Sequence, residues 1–182
     1  DRSADYVLGE PDLFTRSLTS AAANSFDGGG GSYGAGSGGM DIDLVHQRLF
    51  VADAGNNRVL VFDLTSISNN MNASFVLGQI DFVSNAFGTT ATTMKNPTDV
   101  VYDSAQDRLY VADSENNRIL GFDLSSGIAN GMVADQVIGQ VDSFSAVDSI
   151  TLDGLSSPTG LGIDPGKYLF VASPNSSGTP LR

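Results

Sequence analysis

The stretch RLFVADAGNNRVLVFDL, Arg48–Leu64, returns as RLYVADSENNRILGFDL, Arg108–Leu124, with Asn-Asn-Arg at the same place in both. Self-similarity at a fixed period is the mark of a repeat architecture. Val51-Ala52-Asp53 recurs at an offset of 60 as Val111-Ala112-Asp113, and after another 60 as Val171-Ala172-Ser173. Two further markers accompany it. YVLGEPDLF from Tyr6, FVLGQIDFV from Phe75 and QVIGQVDSF from Gln136 share an apolar pair, a Gly, a Glu or Gln, and an Asp with Phe close behind. A short segment ending in Asp precedes each copy, at Asp43, Asp103 and Asp164.

Each unit reads as four short strands. Leu49–Asp53 and Arg58–Phe62 are apolar and β-favouring, and the residues between them are turn formers, which makes a hairpin. Asn tolerates the left-handed backbone of a tight reversal, which gives Asn56, Asn57, Asn116 and Asn117 their place. Asp53 ends one strand and Arg58 begins the next, so the two face each other as an ion pair, repeated by Asp113 and Arg118. Such a pair adds about 0–1 kcal/mol if exposed and serves mainly to hold register. The strands LFVA and VLVF are apolar at every position, so both faces of the sheet are covered. Stacked sheets with four strands per unit predict an all-β fold of β-propeller blades, with a β-solenoid as the structural competitor.

The segment NPTDVVYDSAQDRLYVADSENNRILGFDL, from Asn96, resembles an NHL repeat, a propeller blade built on a Pro-led strand ending in Asp, a Tyr-Val-Ala-Asp strand and Asn-Asn-Arg. FVLGQIDF is similar to the leucine-glycine-glutamine segment that links such blades in bacterial, often exported, proteins. The likeness runs from about Tyr6 to Ala172 and is strongest in the first two copies. It implies about three four-stranded blades in one domain over 1–182: a linking strand at 1–10, blades at 40–80 and 97–141, and a partial third at 158–182. Since the family mostly supplies binding platforms of many specificities, the resemblance speaks to fold before function.

The copies also differ. The Gly-rich tract at 27–39 lengthens the first unit and replaces the expected Pro; it reads as a surface loop, with Tyr33 the anchor if it binds a ligand. In the third unit Gly178 stands where Arg58 and Arg118 stood. Propellers typically have four to eight blades, so two arrangements are expected: part of a longer propeller, or chains that complete one another. In the second, Tyr6, Val7 and Leu8 of one molecule add a strand beside Leu169, Phe170, Val171 and Ala172 of the next, making a six-bladed ring from two chains or an open filament.

Composition limits the chemistry. The 182 residues carry 21 acidic and 9 basic side chains, a net charge of −12. That surface repels nucleic acid and anionic lipid and favours cations such as calcium or basic partners. There is no cysteine, hence no disulfide or thiolate chemistry. Lysine occurs only at Lys95 and Lys167, and a surface of Asp, Asn, Ser, Thr and Gly points outside the cell, with any signal segment removed upstream of Asp1. His46, the single histidine, reads as a surface-loop residue: one is too few for a multi-histidine metal site, and a Ser-His-Asp triad would have to use it without a nucleophile elbow in the chain. Asp41 and Asp43, Asp99 and Asp103, and Asp148 and Asp153 lack the spacing of a calcium-binding hand, and Asp43, Asp103 and Asp164 read as strand caps. The expectation is a non-enzymatic extracellular scaffold binding protein or glycan. The alternative is a self-assembling subunit, and a hydrolase or lyase comes third. No cofactor is expected; calcium at a propeller mouth is the one metal left open.

Overall fold

The computed structural model describes residues 4–14, 21–26, 38–142, 144–147 and 154–173. Strands β1 (Met40–Asp43), β2 (Arg48–Asp53), β3 (Arg58–Asp63) and β4 (Phe75–Leu77) form one antiparallel sheet in that order. β5 (Pro97–Asp103), β6 (Arg108–Asp113), β7 (Arg118–Asp123) and β8 (Gln136–Ile138) form a second of the same order. β9 (Gly160–Asp164) and β10 (Tyr168–Ala172) begin a third. A meander of four antiparallel strands per unit is the propeller blade; a β-solenoid would place its repeats in shared parallel sheets.

The unbroken apolar runs are explained by blade stacking. Phe50, Val59, Val61 and Leu77 of the first sheet share one buried cluster with Val100, Tyr102, Leu109 and Phe122 of the second. Val101, Tyr110 and Ile119 on the second sheet's other face pack against Leu161, Ile163, Leu169 and Val171. One strand thus feeds two cores with alternate side chains: Leu109 faces back and Tyr110 forward. The Phe50 and Tyr102 rings stack at 5.6 Å across the first boundary.

Polar clamps hold the blades in step. An Asp41 carboxylate oxygen accepts the Tyr102 backbone N–H at 2.8 Å, and Asp99 does the same for Leu161 at 2.7 Å. Asp103 accepts the N–H groups of Ala105, in its own turn, and of Gly166, in the next blade. The cap expectation for Asp43 and Asp103 describes their local bonds; Asp103 and the neighbouring Asp41 and Asp99 also join blades, which spacing could not show. Asp164 differs: its backbone carbonyl accepts Lys167 N–H, and its carboxylate meets Lys167 Nζ at 3.5 Å.

Tyr6–Leu8 forms no strand in the described structure. Its seat is nevertheless informative. Val7 accepts the Asn70 N–H at 3.0 Å and donates to Asn69 Oδ1 at 3.0 Å. One blade later Val76, in β4, accepts Gly131 N–H at 3.0 Å and donates to Asn130 Oδ1 at 3.1 Å. Val7 therefore holds the place of an outermost, fourth strand. β10 corresponds by register to β6, a second strand whose neighbours are the first and third. Within the described residues β9 and β10 are the first two strands of the third sheet, so an outermost strand donated by a neighbouring chain would stand one strand out from Leu169–Ala172, the place first expected for Tyr6–Leu8. The Gly-rich tract up to residue 37, with Tyr33, lies outside the described residues, as do Asp148, Asp153 and Gly178.

Candidate functional site

One face of the blades is built from the β2–β3 and β6–β7 hairpins and from the segments that run from each fourth strand to the next first strand. Between β2 and β3 the chain makes a single 3₁₀ turn, Ala54–Asn56, and leaves it through Asn57 at φ 55° and ψ 45°. Asn117 does the same at φ 53° and ψ 40°. Only this second Asn of each pair adopts the left-handed backbone. The first, Asn56, instead donates its side-chain amide to both Asp53 carboxylate oxygens at 3.1 Å, as Asn116 donates to Asp113 at 2.8 Å.

The register pairs Asp53 with Arg58 and Asp113 with Arg118. Nε meets the carboxylate at 2.6 Å in the first pair and 2.7 Å in the second. All four side chains are fully buried. The exposed-brace condition of about 0–1 kcal/mol therefore does not describe them. Each guanidinium reaches on to loop carbonyls: Arg58 to Phe82, Ala22 and Ser25, and Arg118 to Thr89, Thr90 and Thr93. Planar and always charged, it satisfies a carboxylate and several carbonyls at once. These residues are the anchor of the loop face, while the loops are what it presents.

The leucine-glycine-glutamine marker builds the loop. Leu77 is buried in the core, and Gly78 turns at φ +83°, where a Cβ would stand 2.9 Å from Met94 Sδ. Gln79, buried, donates from Nε2 to the carbonyls of Asn57 and Ala86. Gln140 repeats this with Asn117 and Val147. Asn57 adds a clamp, donating to Asn85 O and accepting Asn96 N–H, and Asn117 copies it with Ala146 and Ser157. Asp81 then accepts the N–H groups of Val83 and Ser84, and Asp142 those of Phe144 and Ser145. Asp12 accepts Phe14 N–H at 2.8 Å in the first copy.

The product of this frame is a set of outward apolar side chains. Val83 is 72% exposed and its equivalent Phe144 71%; Ile80 is 77% exposed and its equivalent Val141 93%. The recurring Gly-Gln-x-Asp could have shown this in the sequence, since an apolar residue follows each Asp by two positions in these two loops.

The opposite turns hold the one group of metal-ligand type among the described residues, Asp43, His46 and Asp107. Its cation is already a side chain. Arg48 donates from Nε to Asp43 at 2.7 Å and from an Nη to Asp107 at 2.6 Å, and lies 3.0 Å from His46 Nδ1. Burial alone would raise the Asp43 carboxyl, but the His46 backbone N–H and the Arg48 and His46 side chains outweigh it and hold the carboxyl below its ordinary value. His46 itself is half exposed, as expected of a turn residue. No described helix is long and apolar enough to cross a membrane.

The NHL repeat family model matches residues 94–122, from Met94 just before β5 to Phe122 in β7. No curated protein matches the chain.

Proposed function

From this NHL-repeat, β-propeller frame we propose that the protein is a non-enzymatic, extracellular interaction scaffold that takes a protein or glycan ligand on the hairpin and connecting-loop face. NHL propellers serve as platforms for protein interaction, and the repeated loop frame carries the reading here. Gln79, Asp81 and Arg58 satisfy the loop's polar groups internally and leave Ile80 and Val83 outside; Gln140 and Asp142 do so for Val141 and Phe144. A fixed frame with variable exposed tips suits recognition. The scarcity of Lys and the net charge of −12 support the extracellular setting. An array of secreted proteins and glycans tests the proposal. Binding that is lost on changing loop-face side chains and kept in Leu44→Ser, in the opposite β1–β2 turn, supports it. Turnover of an ester or glycoside substrate, or binding that depends only on Leu44, overturns it.

A second reading is self-assembly, supported by the seat of Val7 as a fourth strand. Strand donation in this reading supplies the outermost strand of a neighbour's blade. Light scattering over a concentration series, with and without residues 1–10, decides it: a mass that grows only in the full chain supports exchange, and a monomer throughout rejects it.

A further inference from the structure

Resting on the reading of the loop face as the binding face, we infer that its occupant is a basic, apolar-tipped polypeptide segment, docked on the ridge formed by Val83 and Phe87 in one loop and Phe144 and Val147 in the next. Singly exposed apolar side chains are ordinary. These are neither single nor random. Val83 and Phe144 follow the same Asp-capped turn; Val147, 65% exposed, is the residue on which its loop's glutamine closes, and Phe87, 67% exposed, directly follows Ala86, the residue on which the other glutamine closes. Phe14, 96% exposed, holds the same position after Asp12 in the first copy. An apolar tip repeated on successive loops of one face is the pattern from which the docking ridge is inferred, exposed apolar surface being a mark of interaction sites. The polar frame beneath fixes the loops, so little ordering cost falls on binding.

Charge selects the occupant. Asp81 and Asp142 sit at the base of the tips. The one lysine of this region, Lys95, is engaged: its Nζ is 3.2 Å from Glu115 and 5.1 Å over the Phe87 ring. A second copy brings another −12 and an anionic bilayer is repelled in the same way, whereas Lys or Arg between apolar side chains meets the carboxylates while those side chains meet the ridge.

Three synthetic twelve-residue peptides test this by fluorescence anisotropy at 0.15 M salt, where screening acts within about 8 Å: alternating Leu-Lys, Ser-Lys and Leu-Glu. Leu-Lys is expected to bind at least tenfold tighter than either companion. V83S/F144S should weaken it at least tenfold with the melting temperature unchanged, because both backbone N–H bonds to Asp81 and Asp142 are kept. Equal binding of Ser-Lys, which would mean charge alone, overturns the inference. So do full affinity in the variant, preference for Leu-Glu, failure of Leu-Lys to bind, or a concentration-dependent dimer that V83S/F144S abolishes. The two proposals fail separately: array binding that survives V83S/F144S but is lost with other loop-face changes removes the ridge and leaves the scaffold, while binding through the opposite turns removes both.

Discussion

Arg118 and Asp113 are joined at 2.7 Å with neither side chain exposed, and the Arg118 guanidinium continues to the carbonyls of Thr89, Thr90 and Thr93. Burial pushes the Asp113 carboxyl up, against the pull of Arg118, the Lys95 N–H and Asn116. The pair is therefore a junction between a hairpin and the segment entering its blade. Asp113→Ala leaves a buried guanidinium uncompensated and should cost about 3–5 kcal/mol in urea unfolding. The double change D113L/R118M should stay well below wild type as well, since three carbonyls lose their donor. Full recovery in the double variant would show that the pair matters only as charge.

The left-handed turn can be separated from the clamp at Asn57. Asn57→Gly keeps the backbone at φ 55° but loses the bonds to Asn85 and Asn96. Asn57→Ala loses those bonds and pays left-handed strain of about 1–2 kcal/mol besides. The expected order of thermal stability is Asn, Gly, Ala, and equal melting of the Gly and Ala variants would refute a backbone role.

These two positions also show how far the sequence could be read. Period, strand order and the hairpin partners Asp53 and Arg58 were legible because they are local: register and side-chain alternation follow from neighbours in the chain. Burial of the pair was not, because the covering carbonyls come from residues 22–25, 82 and 89–93, far from the hairpin. Nor was the division of labour within Asn56-Asn57, as the two positions carry the same residue and Asn suits either place in a turn. The inter-blade clamps of Asp41 and Asp99 depend on a neighbouring strand's N–H that no spacing rule locates.

Tyr102 should betray its surroundings in alkali. Burial, and then the Asp107 carboxylate that accepts its hydroxyl at 2.9 Å, push its pKa to about 12; burial first also raises Tyr110. The folded value lies above the unfolded one of about 10, so the unfolded chain loses its proton first. The stabilisation is whole below pH about 10 and falls away as pH rises toward 12, by roughly 2–3 kcal/mol in all at about 1.36 kcal/mol per unit. Absorbance titration should show late-ionising tyrosine among the five, and Tyr102→Phe should flatten the loss of stability over that window. Identical alkaline slopes in the two proteins would contradict this.

The brace at Gln79 gives the most selective test of the loop frame. Its amide faces two carbonyls, Asn57 O at 3.0 Å and Ala86 O at 2.8 Å, in a buried site. Gln79→Glu replaces the two-proton donor with a carboxyl that keeps one donor when protonated and none when ionised. Facing only acceptors, that carboxyl takes a folded pKa above its unfolded value of about 4.3. Its contribution is thus retained below pH about 4 and lost as pH rises through the folded value, the reverse of a salt-bridged carboxylate. The variant should approach wild-type stability at pH 4 and fall roughly 2–4 kcal/mol behind it at pH 7. Glu10 occupies the matching place in the first copy, where the residue is half-buried. A pH-independent deficit in Gln79→Glu would mean that the glutamine fills space and that its two donated protons do not hold the loop.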